Sequence, residues 1–199
     1  MPDVVPDAPV ESAWGNKIRN RTITPFATTA ERDGYITAPV IGMECYVVAT
    51  DSFYYYNGTA WKGRPRGRIA YVPLSTTFQT SAVNTWQTGL STPALTAPET
   101  RLVRVMAQAS LVNAQPSAAM PVAGARIATA AANLVQIGVG GVTLAAQANW
   151  YCYGAAYSTI GTAATTFLLQ LYSNPASLRI QAGDPTQVTW LSVEDLGTP

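Results

Sequence analysis

The chain is predicted to be all-β: a small N-terminal β-meander with an extended arm, followed by a jelly-roll-like β-sandwich. Three observations predict it. Short runs of β-branched and aromatic residues recur along most of the 199 residues. Proline, glycine and asparagine clusters separate them at roughly regular spacing. Several runs also alternate apolar and polar residues with period two, as half-buried strands do.

Residues 1–22 read as an extended arm. Pro2, Pro6 and Pro9 oppose regular helix or central strand. Trp14 is the one large anchor. Lys17, Arg19 and Arg21 alternate with Ile18, Asn20 and Thr22, so a strand here would carry one basic face. That face is either a solvated edge or a docking strip.

Residues 23–65 read as a small attachment module. Thr28 is placed to cap one helical turn over 28–33, with Glu31 and Asp33 early in it. Pro39 and Gly42 bend the chain. Met43–Ala49 has the composition of a buried strand, and Phe53–Tyr56 is an aromatic one. Asn57-Gly58 suits a tight turn, and Thr59–Lys62 returns. Three such short strands need further packing to be stable. Residues 62–68, Lys-Gly-Arg-Pro-Arg-Gly-Arg, form a basic hinge that carries Arg64, Arg66 and Arg68. Its four cations suit a linker, a subunit contact or phosphate.

Residues 66–199 read as the sandwich. Expected strands are Ile69–Leu74, Thr85–Leu90, Leu102–Val112, Val122–Ala130, Leu134–Val139, Val142–Ala146, Trp150–Tyr157, Thr166–Tyr172, Leu178–Ala182 and Gln187–Val193. In the third of these, Val103, Val105, Ala107, Ala109 and Leu111 face one way. Arg104, Gln108 and Ser110 face the other, with Leu102 and Met106. The alanine-rich stretch 123–135 has helical propensity, but its glycine, threonine and isoleucine residues favour strand. Eight or more strands in about 130 residues suggest two packed sheets of jelly-roll type.

Composition narrows the function. Charged residues make up 12% of the chain, against about 25% in ordinary soluble domains. A neutral, polar surface fits a protein that is largely covered by partners. The net charge of +1 gives no reason to expect nucleic-acid binding. No apolar run has the length of a membrane span, roughly 18 residues. The start of the chain has early acids and no basic segment, unlike a secretory signal. Cys45 and Cys152 sit in hydrophobic runs and read as buried free thiols.

Chemistry-bearing patterns are few. Histidine is absent, and Glu194-Asp195 is the only adjacent acidic pair. Strand neighbours point to opposite faces, so these two carboxylates do not share a site. Asp184 and Asp195 are the acids available for a calcium site, without an EF-hand loop. Residues 138–141, Gly-Val-Gly-Gly, lack the lysine of a phosphate loop and suit a turn. No catalytic, metal or cofactor residue is assigned. Aromatics stand out instead. Tyr54, Tyr55, Tyr56 and Trp61 surround the Asn-Gly turn, and Trp150, Tyr151, Tyr153 and Tyr157 form a second group. Packing within the hairpin, a protein interface and glycan contact all suit such residues.

The string from Phe26 to Trp61 resembles a module of bacteriophage virion proteins, especially head- and tail-associated ones. The matching residues are Arg32-Asp33, Pro39, Gly42-Met43, Tyr46-Val47, Asp51, Tyr56-Asn57-Gly58 and Trp61. The ending Leu191–Gly197 is similar to the final strand of phage fibre and collar proteins with a sandwich head. The resemblance implies a structural protein assembled in the host cytoplasm and carried on the virion, as a short fibre, minor tail or head decoration protein. It implies an N-terminal part that docks to capsid or tail proteins and a β-rich part that is displayed, often as a homotrimer. Trp14, Lys17, Arg19, Arg21, Tyr54, Tyr56, Trp61, Arg64, Arg66 and Arg68 are then the docking or interface candidates. Trp150, Tyr151, Tyr153 and Tyr157 are the ligand-facing candidates, in the alternative role of a receptor- or glycan-binding adhesin. Long repeats and heptads are missing, which favours a compact protein over a long shaft.

Overall fold

The computed structural model describes residues 23–114, 122–138, 149–174, 178–180 and 188–199. The arm with Trp14, Lys17, Arg19 and Arg21 lies outside them. So do the expected strand Val142–Ala146, Asp184, and all of the 138–141 turn except Gly138. The chain divides into two compact units, Met1–Arg64 and Pro65–Pro199. Among the described residues no helix is long and apolar enough to cross a membrane.

The described residues of the first unit form a four-stranded sheet with one α-helix and a 3-10 turn, Val48–Thr50. Its strands are β1 (Thr24–Phe26), β2 (Glu44–Val47), β3 (Ser52–Tyr56) and β4 (Trp61–Gly63), in that order. The last three form the expected antiparallel meander. Strand β1 was not foreseen; it pairs parallel to β2, Phe26 opposite Val47. Three residues with a proline in the middle carry little strand signal, and an edge position is where such a strand can exist. Helix α1 (Thr29–Tyr35) is capped by Thr28, whose hydroxyl accepts from the Glu31 amide at 3.1 Å. The Glu31 carboxylate accepts from the Ala27 amide, so the helix start is tied down twice. Phe26, Cys45, Val47 and Tyr54 form the core, with Ile36 and Trp61 against it.

The second unit is a β-sandwich. One sheet has the order β10 (Asn133–Gln136), β9 (Val122–Thr129), β12 (Phe167–Asn174), β7 (Gln87–Ser91). The other is built on the long strand β8 (Arg101–Asn113). On one side β8 pairs with β14 (Trp190–Gly197) and then β5 (Gly67–Pro73), and further along with β13 (Leu178–Ile180) and β6 (Phe78–Gln79). On its other side lies β11 (Asn149–Ile160). The antiparallel pairs β9–β10, β8–β11, β7–β12 and β5–β14 nest one outside the next. That nesting is one long hairpin wound round a common core, which is the jelly roll. The alanine-rich stretch is strand: its small residues let β9 pack flat, Ala123, Ala125 and Ile127 facing the core.

Period two decides what is buried. Val103, Val105, Ala107 and Ala109 are fully enclosed and Leu111 nearly so. From across the core come Ile127, Phe167, Leu169 and Leu171, with Leu191 and Val193 from the final strand. Gly154 shows how closely the sheets approach. A Cβ there would lie 2.4 Å from Cγ2 of Ile137, so only glycine lets β11 pass over that side chain.

Cys45 and Cys152 are both free and buried. Burial pushes the Cys152 thiol up to about 11 from an ordinary 9.0. Folding thus favours the protonated thiol. The resulting stability is complete below pH 9 and is lost as pH rises towards 11. Over that window the second unit should lose about 2–3 kcal/mol through this group. Urea unfolding at stepped pH checks it: Cys152→Ala should show a flatter fall than the wild type.

Candidate functional site: the outer face of the six-stranded sheet

Residues of the Arg32–Trp61 string assemble into the first unit's own framework. Arg32 is almost fully buried. Its guanidinium lies 5.0 Å from the Tyr54 ring centre and 4.9 Å from that of Trp61. Its Nε donates to Asp33 at 2.8 Å. Burial raises the pKa of the neighbouring Cys45 thiol, and Arg32 only partly offsets this. Gly42 takes a φ of 83°, and its amide donates to the Tyr56 carbonyl. Tyr46 donates to Asp51, itself left-handed at φ 46°. The Asn57 side chain accepts from the amides of Thr59 and Ala60, which closes the turn.

This placement corrects one expectation. Tyr54 is 2% exposed and its hydroxyl donates to Thr50 at 3.1 Å. It is core, not a docking surface. Tyr56 and Trp61 are half-buried, with ring centres 5.6 Å apart, so their packing lies within this unit. The sequence could not separate these roles, because β3 alternates buried and exposed aromatics: Tyr54 points in while Phe53 and Tyr55 point out. Arg64 pairs with Glu44 across the same sheet. Arg66 is exposed in the short segment before β5.

The exposed aromatic face lies in the second unit. On β11, Tyr151, Tyr153 and Tyr157 are 52%, 59% and 65% exposed. They share the outer side of the sheet. Trp150, grouped with them by sequence, has the opposite strand parity and does not join them. Register then adds residues that sequence spacing cannot connect. Tyr153 and Trp190 both sit opposite Gln108 on β8, one on each side. Ser192 and Ala155 flank Met106, and Tyr71 on β5 lies beyond Ser192. Ring centres of Tyr153 and Trp190 are 6.1 Å apart, and those of Trp190 and Tyr71 6.2 Å. An aromatic row therefore crosses the sheet from β11 to β5.

The polar groups of this face are mostly engaged. Arg104 donates to Glu194 through Nε at 3.0 Å. That bond holds the Arg104 pKa above its ordinary value. Arg68 lies 4.9 Å over the Tyr71 ring. Gln108 donates to the Val188 carbonyl at 2.9 Å. Between these groups lies a shallow open depression of about 620 Å³, lined by Arg68, Tyr71, Met106, Trp190 and the Arg104–Glu194 pair.

Glu194 and Asp195 diverge as strand parity requires. Asp195 is buried beside Arg101, which donates to it at 2.8 Å from Nη2 and 3.2 Å from Nε. Burial alone would lower the Arg101 pKa; hydrogen bonds to Asp195 and Glu99 outweigh it and hold it raised. Asp195 is thus committed to an ion pair. Among the described residues no cluster of acids, cysteines or histidines is arranged to hold a metal.

No protein-family model matches the chain, and no curated protein matches it in sequence. Among solved structures, it is similar to the C-terminal CBM6 of LamC, a marine laminarinase from Zobellia galactanivorans. The match has 9% identity and a TM-score of 0.28, and covers 63% of this chain and 99% of that one.

Proposed function

We propose that this protein is a structural component of a bacteriophage virion, with its first unit attached to the particle and its jelly roll displayed. The observation that carries the reading is the fate of the motif residues. Arg32, Asp33, Gly42, Tyr46, Asp51, Asn57 and Trp61 resemble a virion-protein module. Here they build a unit with its own core, closed by side-chain bonds. A recurring pattern spent on folding marks a reusable attachment module rather than a catalytic site.

Purified particles of the encoding phage test the reading. The chain should be present by mass spectrometry at a fixed copy number and be located by antibody labelling. A chain lacking residues 1–64 should fail to enter particles. Absence of the intact protein from washed particles would overturn the proposal. A second reading, adhesion to a host-surface glycan, is favoured by the solvent-facing depression of the second unit, where the Tyr71 and Trp190 rings lie beside the Ser192 hydroxyl and the Arg104–Glu194 pair. A glycan array probed with the intact chain tests it.

A further inference from the structure

We infer that the outer face of the six-stranded sheet is a self-association surface, covered by a second copy of this chain. Extent is the first argument. The face spans β5, β14, β8 and β11. Strands of 7, 8, 13 and 12 residues, at about 3.4 Å per residue and about 4.8 Å apart, give an area on the order of 650 Å². That lies within the roughly 600–1,000 Å² that each partner contributes to a stable protein interface.

Composition is the second. Tyr71, Met106, Tyr151, Tyr153, Tyr157 and Trp190 lie on the face, together with Arg68, Arg104, Gln108 and Glu194. Aromatics and methionine are enriched at interface cores, and unpaired charge is depleted there. Arg104 and Glu194 neutralise each other. Exposed aromatic rings that adjoin one another across three strands mark a binding site rather than ordinary exterior.

Shape selects the partner. One face carries both projecting rings, Tyr157 at 65% exposure and Tyr153 at 59%, and the open depression beside them. Knob and hole are laterally offset. A second copy can therefore seat its tyrosines in the depression while offering its own depression in return, or pass the contact on round a closed ring. Arg68 at the rim can accept a tyrosine ring or donate to its hydroxyl. The inference relies on the virion reading only for the number of copies, which that reading puts at three.

Sedimentation equilibrium of the full chain at micromolar concentrations is the test. The expected mass is a multiple of 21.1 kDa. The double variant Tyr153→Glu with Tyr157→Glu should fall to 21.1 kDa, a loss of association of at least about a hundredfold. Its circular dichroism and melting temperature should match those of the isolated wild-type fold, because both side chains are exposed. Should that variant fail to fold, Tyr157→Arg alone is the substitute. A monomeric wild type, or a variant of unchanged mass, overturns the inference. A monomer that binds a glycan through the same tyrosines overturns it in favour of adhesion. A monomer found in particles removes this inference and leaves the virion reading intact, whereas an oligomer absent from particles does the reverse.

Discussion

Replacing Asp195 by alanine should destabilise the second unit by about 3–5 kcal/mol, because it leaves the Arg101 guanidinium buried without its main counter-charge. Both side chains are 3% exposed. The aspartate also accepts from the Gly197 amide at 2.8 Å. It thereby joins the start of β8 to the end of β14 and fixes the last turn of the chain, where Gly197 has a φ of 102°. Glu99 remains on Arg101 Nη1, but it is partly solvated and compensates only in part. Urea unfolding followed by tryptophan fluorescence gives the measurement. Asp195→Asn keeps an acceptor for Gly197 and should lose distinctly less. Equal loss in the two variants would show that the charge, not the hydrogen bond to Gly197, is what the site requires.

Replacing Arg32 by alanine should unfold the first unit while leaving the jelly roll folded. Among its described residues the unit has four buried apolar side chains in its core, Phe26, Cys45, Val47 and Tyr54. Arg32 takes the place that a large apolar residue would fill, lying against both Tyr54 and Trp61. Two cation–π contacts at a desolvated site, about 1–2 kcal/mol each, and the cavity left by the side chain are lost together. The expected cost is about 3 kcal/mol, a large fraction of the stability of so small a unit. Limited proteolysis gives the clearest reading: cleavage should appear within residues 23–64 and spare residues 66–114. Arg32→Lys should not rescue, since an ammonium lacks the planar face that stacks on both rings. A protease-resistant Arg32→Ala chain would show that the aromatic hairpin is cored without it.

Local pattern was enough for the class of fold and for most strands. In β8 the alternation assigned every inward residue from Val103 to Leu111 correctly, because side-chain direction in a strand depends on parity alone. Thr28 could be read as a helix cap for the same local reason: its bond to Glu31 spans three residues. Both cysteines were legible as buried thiols from their hydrophobic flanks. Strands without local signal were not legible. Phe78–Gln79 exists only because β13 offers it a partner 100 residues on, Ile180 opposite Phe78.

Sequence by itself also set which residue types were available for function: many aromatics, no histidine, few charges. Tertiary structure decided how they were used, since that depends on register between distant strands. Tyr54 and Tyr153 have the same side chain in similar aromatic runs, yet one is core and the other is surface. Arg32 and Arg101 carry no mark in the sequence that distinguishes them from solvated arginines, but each is enclosed by partners that the fold supplies. The row Tyr153–Trp190–Tyr71 joins residues from three strands. Cross-strand neighbours are set by pairing over long chain separations, which spacing along one strand does not encode.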